Sequence, residues 1–576
     1  MSTRWRLRAC TLLCLAPLVP IALKLFSLQV ARHDDLASQV TALTERAPRE
    51  MLPRGRILDR DGRVLAESLP AWSSSLDLKV FKDPCDGKAA KPSRKDACRP
   101  QWDRLPAVAQ AAGMDPAEVK RLARSPRRAV ELKSKMSFEE SERLRGLNLR
   151  WLGFYPDEKR SYPNGDLARP LLGSVNDAGL GTSGLERAFD KNLCGRSIRL
   201  NLTRDGTGQA ILYEPLERPA PPPDLKLTLE RNVQFFAEDA LRAALERVQA
   251  KRGTALVQDP VTGDILAMAV MPPDPMHNDA IQDYYEPGST FKMVTAAAAL
   301  EHAVTKPGER IDCESGRWSV VPSITIKDHD KQGLLTLPEV IIHSSNIGSA
   351  KIGLRLGAGT FSRFCKLFGF GYKTGIPLPA ESPGSLPDDE RFDRVRLANA
   401  AFGQGVAATS LQLLSAYSAV ANGGLLMEPR LVLSVGDKPT RPVTVRRTAK
   451  PATIAALADI LEKVVEEGTG RTARIPGYRV AGKTGTAQKI DPKTGRYSET
   501  DYIATFVGFV PARAPRFTIL VSLDSPRKGY YAAEVAAPVF AALAKQVLTY
   551  FGVAPDQPLP LKPIQQVRTA PAGTAG

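Results

Sequence analysis

The hydrophobic positions change period along the chain, and each change predicts an element. From Ala9 to Val30, "ACTLLCLAPLVPIALKLFSLQV", they run unbroken apart from Lys24, Ser27 and Gln29. That length suits one membrane-spanning helix, with Lys24 placed to snorkel toward the headgroups. Arg4, Arg6 and Arg8 precede the run, which puts residues 1–8 in the cytoplasm and the rest of the chain outside. A cleaved signal peptide is the rival reading, but no Ala-x-Ala site follows, so a retained anchor over 9–30 is expected. Pro17 and Pro20 are tolerated in a span.

Beyond the anchor, polar helical pattern continues to about Ala47. In "PRGRILDRDGRVLAES", Asp61-Gly62 between short apolar runs predicts a hairpin. Residues 80–150 are basic and helical in period, with Ser or Asp starts in "DPAEVKRLARSP" and "SFEESERLRGL". The prolines of "RPAPPPDLKLTL" make a stiff linker and mark the clearest boundary. Past it the pattern runs strand ("LKLTL"), helix (Arg231 to Lys251), then strands in "GTALVQDPVTGDILAMAV" with a turn at Pro260 to Gly263. A helical middle reaches about Ala421. Strands return in "YRVAGKTGTAQK", "YIATFVGFVPA" and "RFTILVSLD", before a last helix from Ala533 to Phe551. Sheet at both ends with helices between predicts an antiparallel α+β domain over 225–551 whose first and last segments share one sheet. Residues 31–224 form a separate domain, and the tail 552–576 is expected to be disordered.

Composition adds little to the fold but narrows the function. The chain has 576 residues, 43% of them hydrophobic, enough for a large core. The net charge of +17 first suggests an acidic partner. No zinc-finger spacing, RNA-binding aromatic signature or long Lys/Arg block accompanies it, so nucleic acid is not expected. Much of the excess lies between Lys82 and Arg128 with acids interspersed, a solvated face near anionic lipid or glycan. Cys85 and Cys98 flank a polar loop and can pair in an oxidising compartment. Cys10 and Cys14 fall in the apolar run; Cys194, Cys313 and Cys365 read as isolated small hydrophobes. His33, His277, His302, His329 and His343 show no metal-ligand spacing, so neither metal nor other cofactor is expected.

The chemistry rests on three short patterns. In "YEPGSTFK", Ser289 follows Pro-Gly at the mouth of an alanine-rich helix, with Lys292 three residues on. Ser289 alone fits a helix cap equally well. The other patterns are His343-Ser344-Ser345-Asn346 and Gly482-Lys483-Thr484-Gly485-Thr486. Each has decoys: Ser525 with Lys528, Ser174 with Asn176, and further Lys-Thr-Gly runs at Lys373 and Lys493. A serine nucleophile needs its base one helical turn away. Ser289 leads a helix, whereas Ser525 is followed by Pro526 and soon by Gly529. Lys483 lies in a strand pattern, against which substrate backbone can pair; Lys373 and Lys493 lie in loops. Gly477 to Thr484 also spells a phosphate loop, but its residues read as strand rather than as a glycine turn into a helix. Ser344 and Asn346 have the bland alternative of capping a helix near Ile347, and Thr484 and Thr486 that of simple strand formers.

Ser-x-x-Lys, Ser-x-Asn and Lys-Thr-Gly in this order resemble the penicillin-recognising acyl-serine enzymes. The likeness extends through "DLKLTLERNVQ", "DPVTGDILAMAVMP" and "FGQGVAATSLQLLSAYSAVANGG", and upstream through "RGRILDRDGRVLA" and "GTSGLERAFDKNLCG". The chain is similar to class B penicillin-binding proteins, most of all their cell-division branch, through "YIATFVGFVPARAPRFTILVSLDSP". The resemblance implies a penicillin-binding, serine β-lactamase-like transpeptidase domain on an α+β pedestal. It implies a D,D-transpeptidase that cross-links D-Ala-D-Ala stem peptides and is acylated by β-lactams. Ser289 would be the nucleophile, Lys292 its base, Ser344 a proton relay and Lys483 a positive charge. Asn346 would hold the substrate amide, while Thr484, Gly485 and Thr486 line the carboxylate site. A SEDS-family glycan polymerase and divisome proteins are the partners it implies, at the inner membrane with the catalytic domain in the periplasm. An elongation-type role and a non-catalytic septal scaffold stay open as alternatives. A class A enzyme would carry a glycosyltransferase-sized domain, and a β-lactam sensor several spans.

Overall fold

The computed structural model describes residues 18–33, 49–51, 53–82, 101–194, 197–204, 210–215, 220–306, 308–491 and 494–558. Arg4, Arg6, Arg8, Cys10, Cys14, Cys85, Cys98 and Lys493 lie outside these residues. In the apolar run, Leu18–Phe26 is α-helical and Ser27–Ala31 continues it as a π-turn. Ile21, Leu23, Phe26 and Val30 are exposed.

The chain forms two compact units. The first comprises residues up to 53, 69–159 and 195–222. Here Trp72 to Asp77 pair antiparallel with Ala129–Met136, and short helices pack around Phe81, which meets Trp151 edge-on at 5.0 Å. The Ser and Asp starts act as expected. Ser137 and Glu140 form a capping box for Phe138–Arg145, and Asp115 caps Pro116–Ala123.

The second unit gathers 54–68, 160–194 and 223–576. Two separate features tie its pieces together. Ile57–Leu58 pairs parallel with Leu225–Leu227, and Arg54, 3% exposed, binds Glu186 at 2.6 Å. The expected hairpin is present: Ile57 faces Ala66 across a turn where Gly62 takes φ +86°, accessible to glycine without strain.

The larger part of this unit is built on one five-stranded antiparallel sheet. Helix α1 (Arg231–Val248) precedes strands β1 (Arg252–Gln258) and β2 (Ile265–Met271). Helices α2 (Lys292–Glu301), α3 (Asn346–Leu356), α4 (Ser410–Ala421) and α5 (Pro451–Glu466) make the middle. Strands β3 (Ala481–Ile490), β4 (Tyr497–Val510) and β5 (Phe517–Asp524) follow, then α6 (Ala537–Tyr550). The order β2-β1-β5-β4-β3 joins the two ends of the domain through the β1–β5 pairing, as the patterning predicts. Both faces of β1, β2 and β5 are buried, so these strands read as nearly continuous apolar runs. Ala255, Val257 and Phe506 point toward α1 and α6, while Leu256, Val507 and Leu520 share a core with α2 and α4. Helix α1 presents Val233, Ala237, Leu241, Ala244 and Val248 as its apolar stripe.

Two expectations need correction. Leu225–Leu227 does not enter the central sheet; it joins a second one between Ile57–Leu58 and Val432–Val435. The strand has three residues, and Glu230 caps α1 almost at once through Val233 N–H. The disorder expected from Gly552 does not hold over 552–558. Tyr478 donates to Val553 O, and Asp556 and Gln557 N–H both donate to Gly477 O.

Candidate active site

Ser289 sits in a 3₁₀ turn, Gly288–Phe291, that runs directly into α2. Lys292, three residues on, opens α2, so it follows Ser289 by about one turn. Neither Pro287 nor Phe291, the N-cap positions of the turn and of α2, makes a side-chain cap, so the capping reading of Ser289 falls away. The turn is held from several sides. Thr290 Oγ1 donates to Pro287 O at 2.6 Å, Tyr417 of α4 donates to Thr290 O at 2.8 Å, and Gly288 N–H donates to Gly403 O at 3.2 Å. Gly403 has φ +87°, and a Cβ there would lie 2.2 Å from Gly288 O. The Gly403-Gln404-Gly405 run is thus a backbone support for the serine turn.

Lys292 is fully buried and donates to Ser344 O at 2.5 Å, to Asn346 Oδ1 at 2.8 Å and to Ser344 Oγ at 3.2 Å. The Ser-x-Asn pair is therefore free for chemistry. The cap of α3 is the residue between them, Ser345, which accepts from Gly348 N–H at 2.9 Å. Asp328 completes that end, accepting from Ser345 Oγ at 2.6 Å, Asn346 N–H at 2.5 Å and Ile347 N–H at 3.0 Å. Ser344 itself takes φ +61°, a left-handed conformation costly for a side chain and concentrated at functional sites. His343 is exposed and only ends the preceding helix, Leu337–Ile342.

The Lys-Thr-Gly motif lies on β3, an edge strand of the sheet, which also removes the phosphate-loop reading. Lys483 is fully buried and donates to Ser344 Oγ at 3.0 Å and to Thr469 Oγ1 at 3.3 Å. Thr484 Oγ1 lies 2.9 Å from Thr469 Oγ1, and Thr486 Oγ1 accepts from Ala532 N–H at 3.0 Å. Gly485 is required by proximity: a Cβ there would come within 2.7 Å of Thr290 Cγ2 and 2.9 Å of Pro287 O. The structure thus brings Ser289, Lys292, Ser344, Asn346, Lys483, Thr484, Gly485 and Thr486 to one place. The decoys stand apart from it. Ser525 is buried against Asp524, Ser174 Oγ lies 2.8 Å from Thr182 Oγ1, and Lys373 lies in a loop.

Both lysines titrate abnormally. Burial, reinforced by the neighbouring Lys483, holds the Lys292 ammonium well below its ordinary range, and Asp328 opposes that in part. Burial alone brings Lys483 down to about 7.

Three contributors were missed in the sequence. Asp328 lies in "IKDHDK", with no motif to mark it, and Thr469 in "EEGTGR" reads as a loop. Glu286 was quoted only as part of the serine pattern. It accepts from Gly405 N–H at 2.7 Å and from Tyr497 OH at 3.0 Å, linking the serine turn to the start of β4, and burial pushes its pKa up.

Comparison with known proteins agrees with this geometry. Residues 253–545 match the penicillin binding protein transpeptidase domain, and residues 50–227 match the penicillin-binding protein dimerisation domain. The probable peptidoglycan D,D-transpeptidase PbpC of Pseudomonas aeruginosa is 31% identical over 564 residues, 95% of each chain. Peptidoglycan D,D-transpeptidase FtsI of Escherichia coli is 30% identical over 570 residues, 96% of this chain and 93% of that one. Penicillin binding protein 3 of Mycobacterium tuberculosis, solved in complex with aztreonam, superposes with a TM-score of 0.66 at 27% identity. The alignment covers 89% of this chain and all of that one. With both domain models matched, full-length relatives at this identity and three motifs converging on one serine, the chain belongs to the class B penicillin-binding proteins.

Proposed function

We propose that the chain is a D,D-transpeptidase of peptidoglycan in which Ser289 is the acyl nucleophile. The observation that carries this reading is the meeting of Lys292 and Lys483 on Ser344 Oγ, with Ser289 one turn before Lys292 in the chain. An alcohol attacks an amide carbonyl only as a base takes its proton. Neutral Lys292 is placed for that, attack occurring at the penultimate D-Ala carbonyl of a stem peptide. The proton passes through Ser344 Oγ to the nitrogen of the terminal D-Ala as that C–N bond breaks. An amine of a neighbouring stem then reverses the sequence on the acyl-serine and completes the cross-link. Backbone N–H groups of Ser289 and Thr486 serve the oxyanion, each worth a few kcal/mol in a dry site. Thr486 Oγ1 already accepts from Ala532, so its proton is available to the substrate carboxylate, with Thr484 beside it and Lys483 supplying charge. Asn346 holds the substrate amide. A β-lactam acylates the same oxygen.

Relatives named for cell division and sporulation, FtsI and stage V sporulation protein D, support a septal role. The apolar N-terminal helix with exposed side chains supports a single-pass inner-membrane anchor holding the catalytic domain in the periplasm. A SEDS-family glycan polymerase and divisome proteins are the partners this role calls for. Labelling of the purified chain with fluorescent penicillin tests the core of the proposal. Wild type should label, and Ser289→Ala, folded by circular dichroism, should not. A folded wild type that never labels overturns it.

A further inference from the structure

Asp279 Oδ1 is a buried carboxylate oxygen that accepts no hydrogen bond from any described residue. The side chain is 9% exposed, and its other oxygen is taken by Arg252 Nε at 2.8 Å. A dry, donorless oxygen on an ionised carboxylate costs more than one facing water or a cation. Two further ligand atoms converge on the same oxygen. His277 Nε2 lies 3.6 Å from it, and 2.8 Å from Asp283 Oδ1. All three lie within 4.8 Å of one another.

We propose that His277, Asp279 and Asp283 form a binding site for a divalent transition-metal ion of the Zn²⁺ or Mn²⁺ class, held through Nε2, Oδ1 and Oδ1. One imidazole and two carboxylates are the donor set such ions accept, whereas Ca²⁺ and Mg²⁺ favour oxygen alone. A tetrahedral ion with ligands at about 2.0–2.1 Å spaces them roughly 3.4 Å apart. The separations of 2.8 and 3.6 Å bracket that spacing, so binding needs only small side-chain shifts. The side chains of His277 and Asp283 are 36% and 50% exposed, which leaves an entry path and an open position for water. Arg252 stands behind the site, fixing Oδ2 so that Oδ1 faces the other two ligands, the usual work of an outer partner. The expectation of no metal came from histidine spacing alone, which does not score a His-x-Asp-x-x-x-Asp run. The ion would pin the segment feeding the catalytic turn, since Asp283 is followed by Tyr284–Tyr285, paired to Ala408–Thr409, and then Glu286. The inference stands on this cluster and does not depend on the transpeptidase reading.

The test is calorimetric titration of the chelator-stripped full-length chain in detergent with ZnCl₂ and MnCl₂ at neutral pH. One ion per chain is expected, with affinity falling about tenfold or more in His277→Ala and in Asp283→Asn. Fluorescent-penicillin labelling and circular dichroism check that both variants are folded. Failure of the folded wild type to bind either ion overturns the site, as does equal binding by both folded variants. Those outcomes leave a protonated His277 bridging the two carboxylates.

Discussion

Lys292 and Lys483 meet on a single oxygen, with Ser344 Oγ 3.2 Å from one amine and 3.0 Å from the other. Two ammonium groups this close, both removed from water, cannot both stay charged cheaply. On the proposed mechanism, one lysine is neutral beside Ser289 while the other is available to an anion. Its consequences are measurable.

Stability should depend on pH through Lys483. In the folded chain burial holds it near 7, against 10.5 ordinarily. Between those values the unfolded chain binds more protons, so wild-type stability rises with pH by at most about 1.4 kcal/mol per unit. Below the window both states carry the charge and the folded state bears its burial. Lys483→Met should therefore gain on wild type at acid pH and lose that advantage toward pH 10. Parallel denaturation curves for the two at every pH would contradict this.

Asp328 favours the charged form of Lys292. Asp328→Asn should lower the Lys292 pKa further and move the acid limb of the acylation-rate profile to lower pH. An acid limb that does not move would remove Asp328 as an influence on the base.

Gly485→Ala inserts a Cβ against Thr290 and Pro287 O. Overpacking of this kind costs about 1–3 kcal/mol, and here the strain falls between β3 and the serine turn. We expect acylation to drop at least tenfold with little change in circular dichroism. Wild-type acylation kinetics in this variant would mean the strand can shift without disturbing the nucleophile.

Glu186, fully buried, binds Arg54 at 2.6 Å and Arg160 at 2.7 Å, both themselves buried. Removing one partner of such a cluster leaves uncompensated charge, worth about 3–5 kcal/mol. Glu186→Gln should lower the thermal midpoint of the transpeptidase-bearing unit clearly. A midpoint within a degree of wild type would show that water or rearrangement compensates.

Much of this architecture was legible in the chain because the relevant signals are local. The Asp61-Gly62 turn, the Ser137 capping box, the α1 stripe and the period of β3 to β5 each lie within a few residues. The three motifs could be told from their decoys by the same local context. What escaped was non-local. Nothing near Leu225 says that its partner is Ile57, and nothing near Asp328 says that it will cap a helix beginning at Asn346. Ser345 shows the limit well. The sequence reading weighs Ser344 and Asn346 for the cap, and the fold turns the residue between them toward Gly348. Residues 552–558 departed from expectation for a related reason, since their order comes from hydrogen bonds with Gly477 and Tyr478.

The β1–β5 pairing, which joins the two ends of the domain, also imposes a schedule on synthesis. A chain emerging from its N-terminus exposes Ser289 nearly two hundred residues before Lys483 and β3 exist. Until those late strands dock, the nucleophile has its turn but neither the second lysine nor the edge strand on which substrate aligns. Non-local pairing of this span is slow to form. On the proposed mechanism, acylation by penicillin therefore waits on the arrival of the last strands.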